Sequence, residues 1–319
     1  MTSPDALTHF DDAAEFALAL ETLAMPDLTA PADRAALSAA APAAPPLWPR
    51  PAPSDPLTDF DTHLDQLEQL ARLLADDAPY VIPPPAYALP AGFLLSIVVP
   101  VYNEQQTIRQ IVARLLALPL PLEIIVVDDC STDGTRQVLR ELGQLRNVRL
   151  VFQPFNGGKG SALRKGFELA RGDVVIVQDA DLEYDPRDIP RLLAPIVQDR
   201  ADVVYGSRFL HRRPAGSSLV HRWGNRLLTG LSNLTTGLRL TDMETCYKAL
   251  RRGVLRDMPL RQDRFGFEPE ITAKIARRGL RVVELPIGYQ PRGWHEGKKI
   301  GLRDLWNAVY CIARYALRD

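Results

Sequence analysis

Cysteine is scarce in this chain of 319 residues: Cys130, Cys246 and Cys311 lie far apart and outside any metal-ligand spacing. That argues against a disulfide framework or a cysteine-built zinc site, and fits reduced thiols in a cytoplasmic protein. Long hydrophobic runs are missing too. The longest apolar stretches, such as residues 97–101, fall far short of the ~18 residues that a bilayer span needs. The opening MTSPDALTHFDD lacks the basic start and apolar core of a secretory leader. The Gly-x-Gly-x-x-Gly fingerprint is absent, which speaks against a dehydrogenase. FNGGKGS (155–161) fails as a phosphate loop, because Gly160 follows Lys159 where Ser or Thr is required. Signatures of helix-turn-helix, zinc-finger or RNA-binding modules are also wanting, so nucleic acid is not an expected partner.

One absence is local. Between Val203 and Thr241 there is no Asp or Glu, yet Arg208, Arg212, Arg213, Arg222, Arg226 and Arg239 all fall there. Arginine's planar fork suits phosphate oxygens, and a surround without carboxylates leaves it available for them.

What is present is an ordinary globular mixture, 46% hydrophobic and 24% charged, unevenly laid out. Residues 1–90 carry 14 acidic and 3 basic side chains, while residues 91–319 carry 25 and 35. An acidic lead therefore precedes a basic body suited to anionic ligands. Fifteen of the 27 prolines also fall in residues 1–90. Proline resists helix and sheet, so residues 1–92 read as a largely irregular Pro/Ala-rich extension. Apolar spacing predicts two short helices in it, at about Asp11 to Leu23 and Asp59 to Leu74. Nothing in the pattern identifies a protein partner for the extension.

From Leu94 onward, strands that are apolar throughout are each spaced from the next by an amphipathic helix. Strands are expected at 94–101, 122–129, 148–153, 173–179 and 202–206, with helices at about 104–116, 132–145, 160–170 and 186–198. That alternation predicts an α/β domain over residues 93–300, with a mainly parallel, Rossmann-like sheet and helices on both faces. Ligands of such sheets collect beyond the carboxyl ends of the strands. Asn103 and Glu104, Asp128 and Asp129, and Asp179 and Asp181 end three strands at that edge.

The segment VIVQDADLEYDP (175–186) concentrates the charge. Side chains alternate along extended chain, so Asp179 and Asp181 are expected to point the same way, with Glu183 following. Unneutralised carboxylates this close repel one another. A hard dication, Mg²⁺ or Mn²⁺, removes the repulsion and keeps positions for substrate phosphates, whereas a solvated acidic turn is the plainer alternative.

Taken in order, VVPVYNE (98–104), VVDDCSTDGT (126–135), NGGKGSALRKGFELARGD (156–173), QDADLE (178–183) and YGSRF (205–209) resemble the catalytic domain of family 2 glycosyltransferases, which have the GT-A fold. TDMETCYKALRR (241–252), RFGFEPEITAKIARRG (264–279) and VVELPIGYQPRGWHEGKKIGLRDL (282–305) are similar to the dolichol-phosphate mannose synthase branch and its bacterial polyprenyl-phosphate relatives. That resemblance implies contacts to base and ribose at Pro100, Tyr102, Glu104 and Asp128, with Asp129 and Lys159 in the same nucleotide-sugar site. It implies metal ligands at Asp179 and Asp181, with Glu183 a third. Arg208, Arg226, Arg292 and Lys298 fall where the family holds sugar diphosphate or acceptor phosphate. Asp181, Arg208 and Asp242 are the expected catalytic set.

The activity so implied is inverting, metal-dependent transfer of a hexose from a GDP- or UDP-sugar to a polyprenyl phosphate. A lipid phosphate is already ionised at neutral pH and needs no strong base. A glycan or protein hydroxyl would need one, with Asp242 or Glu244 the candidates. A scaffold that has lost catalysis is a third alternative. Residues 301–319 are expected to form an amphipathic C-terminal helix. Leu302, Leu305, Trp306, Val309, Ile312, Ala313 and Ala316 make one stripe flanked by Arg303, Arg314 and Arg318. It suits either a membrane interface or packing on the domain. The expected location is cytoplasmic, peripheral on the inner face of the membrane.

Overall fold

The computed structural model describes residues 82–210, 219–292 and 302–317. Both helices expected in the N-terminal extension, and Lys298, lie outside the described residues.

The strands are β1 (Leu95–Val101), β2 (Leu122–Asp128), β3 (Val148–Phe152), β4 (Val174–Val177), β5 (Val203–Ser207), β6 (Lys248–Arg251) and β7 (Val282–Pro286). Between and after them run α1 (Ile108–Leu116), α2 (Thr135–Leu142), α3 (Lys159–Leu169), α4 (Ile189–Val197), α5 (Leu219–Thr236), α6 (Arg252–Arg256), α7 (Phe267–Arg277) and α8 (Leu302–Leu317). They form one sheet in the order β3-β2-β1-β4-β6-β5-β7. β2, β4 and β5 are buried at every position. Because neighbouring side chains on a strand face opposite ways, continuous burial means that helices cover both faces. The register stacks like on like: Ile97 lies between Ile124 and Ile176.

All five strands expected from apolar runs are present. β6 was not foreseen: KALR is four residues long, begins and ends in charge, and carries no apolar run. It pairs antiparallel with both β4 and β5, so six strands run one way and β6 the other. This single reversal matters for function. The segment leading into β6, Thr241 to Tyr247, is thereby delivered to the same edge at which β4 and β5 end.

Two helices start later than the periodicity suggests. α1 begins at Ile108 because Asn103 takes a left-handed turn, φ 57°, and Glu104 Oε2 accepts a hydrogen bond from the Thr107 hydroxyl at 2.6 Å. α2 begins at Thr135 because Asp133 Oδ1 accepts from the Thr135 amide at 2.8 Å. The glycines of 156–160 have a steric reason. Gly158 has φ +91°, and a Cβ there would come within 2.6 Å of the Asp263 carbonyl.

α8 divides its apolar stripe. Ala308, Cys311, Ile312 and Tyr315 are buried, Cys311 and Tyr315 clustering with Ala273 of α7. Gln262 donates to the Tyr315 hydroxyl at 2.9 Å. Trp306 and Tyr310, one turn apart, stay exposed at 61% and 55%. Among the described residues no helix is long and apolar enough to cross a membrane.

Candidate active site

β4 ends at Val177 and delivers Asp179 and Asp181 to the carboxyl edge of the sheet. Leu182 then turns left-handed, φ 62°, a costly conformation for a branched residue. That turn corrects the expected alternation. Glu183 is buried, accepting from the Tyr289 hydroxyl at 2.8 Å and from the Arg292 amide at 3.1 Å. It is drawn toward the strand-β7 side and does not extend the row of carboxylates. Among the described residues no three His, Cys, Asp or Glu side chains converge as a metal cage.

Asp179 and Asp181 remain. Lys159, at the start of α3, reaches Asp179 Oδ1 at 2.8 Å and Oδ2 at 3.1 Å. Burial alone would pull the Lys159 ammonium down. Asp179, with Cys246 and Glu268, outweighs burial and raises it well above the usual lysine range. The Asp181 carboxyl is pushed up to about 7 by burial, then by the charges of Asp179 and Glu183, against the pull of Arg292. Two hard oxygen donors and an excess of negative charge fit a hard dication that would fill its other positions with phosphate oxygens and water.

Arg292 donates to Glu104 through both terminal nitrogens, at 3.1 and 2.6 Å, and through Nε to the Asp181 carbonyl at 2.9 Å. This clamp ties the end of β1 to the acidic turn. Glu104 and Arg292, expected as separate contacts to ribose and diphosphate, therefore meet each other. Pro100 is half-buried near the end of β1, and Tyr102 beyond it is exposed.

The two aspartates after β2, expected to contact the nucleotide-sugar, are held by protein partners. Asp128 is fully buried; Arg136 Nε donates to it at 2.6 Å and the Ser131 amide at 3.2 Å. Asp129 accepts from the Gly157 and Gly158 amides, each at 2.7 Å, and from Gln153 Nε2 at 3.0 Å. Its role here is to hold the glycine loop that presents Lys159.

At the end of β5, Arg208 donates to Asp242 from Nε at 2.6 Å, from a terminal nitrogen at 2.7 Å and from its amide at 3.0 Å. Asn225 Nδ2 adds a bond to Asp242 at 3.0 Å. Arg208 also lies over the Tyr289 ring, 5.2 Å from its centroid. Burial pushes the Asp242 carboxyl up, but Arg208 outweighs it, leaving the group below the usual carboxylate range. Asp242 is thus an ionised holder of Arg208 and a poor proton acceptor. Glu284 fixes the turn from beneath, accepting from the Thr241 amide at 2.9 Å and the Asp242 amide at 3.0 Å.

Beside this pair opens a pocket of about 670 Å³, lined by Phe209, Arg222, Trp223, Asn225, Arg226 and Thr241 among others. Both Arg222 and Arg226 reach it, one helical turn apart on α5. Sequence reasoning missed Asn225, Glu284 and Tyr289 as site residues: Asn225 lies in no quoted motif, and Glu284 and Tyr289 fall within 282–305 without a charge cluster or spacing to single them out.

The family model described as glycosyl transferase family 2 matches residues 96–258. The chain belongs to that family. It is 34% identical over 234 residues to the undecaprenyl-phosphate 4-deoxy-4-formamido-L-arabinose transferase of Edwardsiella ictaluri, covering 70% of this chain and 69% of that protein. It is 31% identical over 205 residues to glycosyltransferase AglJ of Haloferax volcanii, covering 64% and 65%. In fold it resembles glucosyl-3-phosphoglycerate synthase of Mycobacterium tuberculosis, solved with Mn²⁺, UDP and glucosyl-3-phosphoglycerate. The TM-score is 0.55 at 20% identity, over 85% of this chain and 87% of that one. The sheet and helices described above are therefore those of a GT-A glycosyltransferase, and the chain is a glycosyltransferase of family 2.

Proposed function

We propose that this glycosyltransferase moves a hexose, with inversion, from a nucleotide-sugar to a polyprenyl phosphate at the cytoplasmic surface of a membrane. The observation that carries the reading is the pocket holding Arg222, Arg226 and Trp223 against the Arg208–Asp242 pair. Two arginines one turn apart suit a phosphate, and the surrounding acid-free stretch leaves them to it. Exposed Trp223, Leu227 and Leu234 on α5, with Trp306 and Tyr310 on α8, offer apolar surface for an isoprenoid tail and a lipid headgroup layer.

The site residues divide the work. Asp179 and Asp181 would hold Mg²⁺ or Mn²⁺, which when bound neutralises charge on the departing diphosphate. Lys159 and Arg292 border that place as cations and oppose the same developing charge. Pro100 in β1 and the exposed Tyr102 beyond it would receive the base and ribose. Arg208, held by Asp242 through three hydrogen bonds, would face the donor and acceptor phosphates. An ionised lipid phosphate attacks without help from a base, which agrees with an Asp242 too acidic to serve as one.

Relatives named for transfer to undecaprenyl phosphate support the acceptor class. Neighbours solved with Mn²⁺ or Mg²⁺ and UDP support the cofactor. The test is a panel of GDP- and UDP-sugars with Mn²⁺, assayed for transfer to undecaprenyl phosphate in detergent and to soluble sugars. Transfer to the lipid phosphate alone is expected. Turnover with soluble sugars and none with lipid phosphate would replace this reading with the hydroxyl-acceptor one.

A further inference from the structure

The segment entering β6 is pinned at both ends of a short span. Asp242 is bound to Arg208 and to Asn225 of the phosphate pocket. The Cys246 amide donates to the Tyr184 hydroxyl at 3.2 Å, and the charge of Asp179 acts on its thiol. Glu244 lies between these two anchors in sequence, on the stretch that the reversal at β6 carries to the edge where β4 and β5 end.

Glu244 Oε1 is completely enclosed, yet has no hydrogen-bond partner among the described residues. The nearby cations are already matched. Arg208 is spent on Asp242, and Lys248 donates to Glu268 and to the Thr245 carbonyl. The charges acting on Glu244 come from Glu268, Lys248, Arg208 and Asp242. Counting Glu244 itself, three carboxylates face two cations. Such a place repels phosphate. A buried acceptor left unmet costs stability, and proteins seldom keep one without a use.

Transfer between two phosphates requires the sugar ring to lie between them. A neutral ring rich in hydroxyls is what an enclosed carboxyl oxygen without a partner can bind, as a hydrogen-bond acceptor. We propose that Glu244 reads the donor sugar: its enclosed oxygen accepts a hydrogen bond from a ring hydroxyl of the transferred hexose and so helps set sugar specificity. This rests on the transferase reading above and gives it a specificity residue. Burial, then Glu268, pushes the Glu244 carboxyl up to about 7. That makes the same site more receptive to a hydroxyl than to a cation.

The experiment compares wild type, Glu244→Gln and Glu244→Ala by calorimetric titration with Mn²⁺ and UDP, GDP, UDP-glucose, UDP-N-acetylglucosamine or GDP-mannose. Steady-state kinetics follow with whichever donor the wild type uses best. Glu244→Ala should weaken the preferred nucleotide-sugar about 10- to 100-fold, the worth of one hydrogen bond to a charged group. The preference among sugars should flatten, and affinity for the bare nucleoside diphosphate should hold within about twofold. Glu244→Gln, which keeps an acceptor oxygen and the shape, should fall between. Equal losses for bare nucleotide and nucleotide-sugar would overturn the inference, as would no loss at all. It would also be overturned by a collapse of kcat for every donor at unchanged KM, with loss of a pH limb near 7, because that is the signature of a base. Wild type that binds bare nucleotide but gains nothing from any attached sugar would sink the inference. Wild type that binds no nucleotide would sink the functional reading beneath it.

Discussion

Arg208 and Asp242 are joined by three hydrogen bonds, and Asp242 is fully buried beneath the arginine. Removing one member of such a pair strands the other without a partner. Asp242→Ala should cost about 3–5 kcal/mol of stability by chemical denaturation. Asp242→Asn, which keeps acceptor capacity, should cost less and should reduce kcat by loosening Arg208. Because Asp242 already sits below the usual carboxylate range, neither form should show a base-limited limb near neutral pH. Such a limb, abolished by Asp242→Asn, would show that Asp242 does take a proton from the acceptor.

Asp181 gives a pH dependence of opposite sense. Its carboxyl is raised to about 7 in the folded protein, against an ordinary value near 3.8. A raised acid favours the folded state while protonated. Its contribution is therefore full below about pH 4 and is lost as pH rises through about 7. In chelator, Asp181→Asn should match or exceed wild type in melting temperature at pH 8, the difference shrinking toward pH 4. Adding Mn²⁺ at pH 8 should raise the wild-type melting temperature and leave the variant nearly unmoved. A variant that unfolds at every pH would mean the carboxylate is structural.

Asp129 should act through the glycine loop. Asp129→Ala leaves the Gly157 and Gly158 amides without their acceptor, a cost of about 1–3 kcal/mol. Faster hydrogen exchange at these two amides is expected, with a fall in kcat/KM as Lys159 loses its support. Unchanged exchange would show that the loop is held by other means.

Much of this was legible beforehand because it is written in periodicity. Continuous apolar runs mark β1, β2, β4 and β5, since strands covered on both faces have no polar side. The motif around Asp179 and Asp181 stood out because charge there interrupts such a run. Asp128 and Asp129 read as contacts for the nucleotide-sugar, and a sequence does not display that Arg136 takes up Asp128 and backbone amides take up Asp129. The surroundings of Glu183 were hidden for a similar reason: it follows the left-handed residue Leu182, and Tyr289 and the Arg292 amide donate to its oxygens. β6 hid because its defining contacts are a buried ion pair and two neighbours distant in sequence.

The exposed aromatics on α8 make a further prediction. Trp306→Ala with Tyr310→Ala should leave the melting temperature close to wild type, because both side chains face solvent. Co-sedimentation with anionic vesicles should fall several-fold, and turnover with vesicle-borne undecaprenyl phosphate should fall with it. Unaltered sedimentation would mean that α8 serves only to pack on α7.

Turnover in the presence of a chelator bears on the whole proposal. Hexose transfer to undecaprenyl phosphate should cease in excess EDTA and return when Mn²⁺ or Mg²⁺ is restored, in wild type but not in Asp181→Asn. Undiminished product formation in EDTA would contradict the assignment of Asp179 and Asp181 as holders of a catalytic dication.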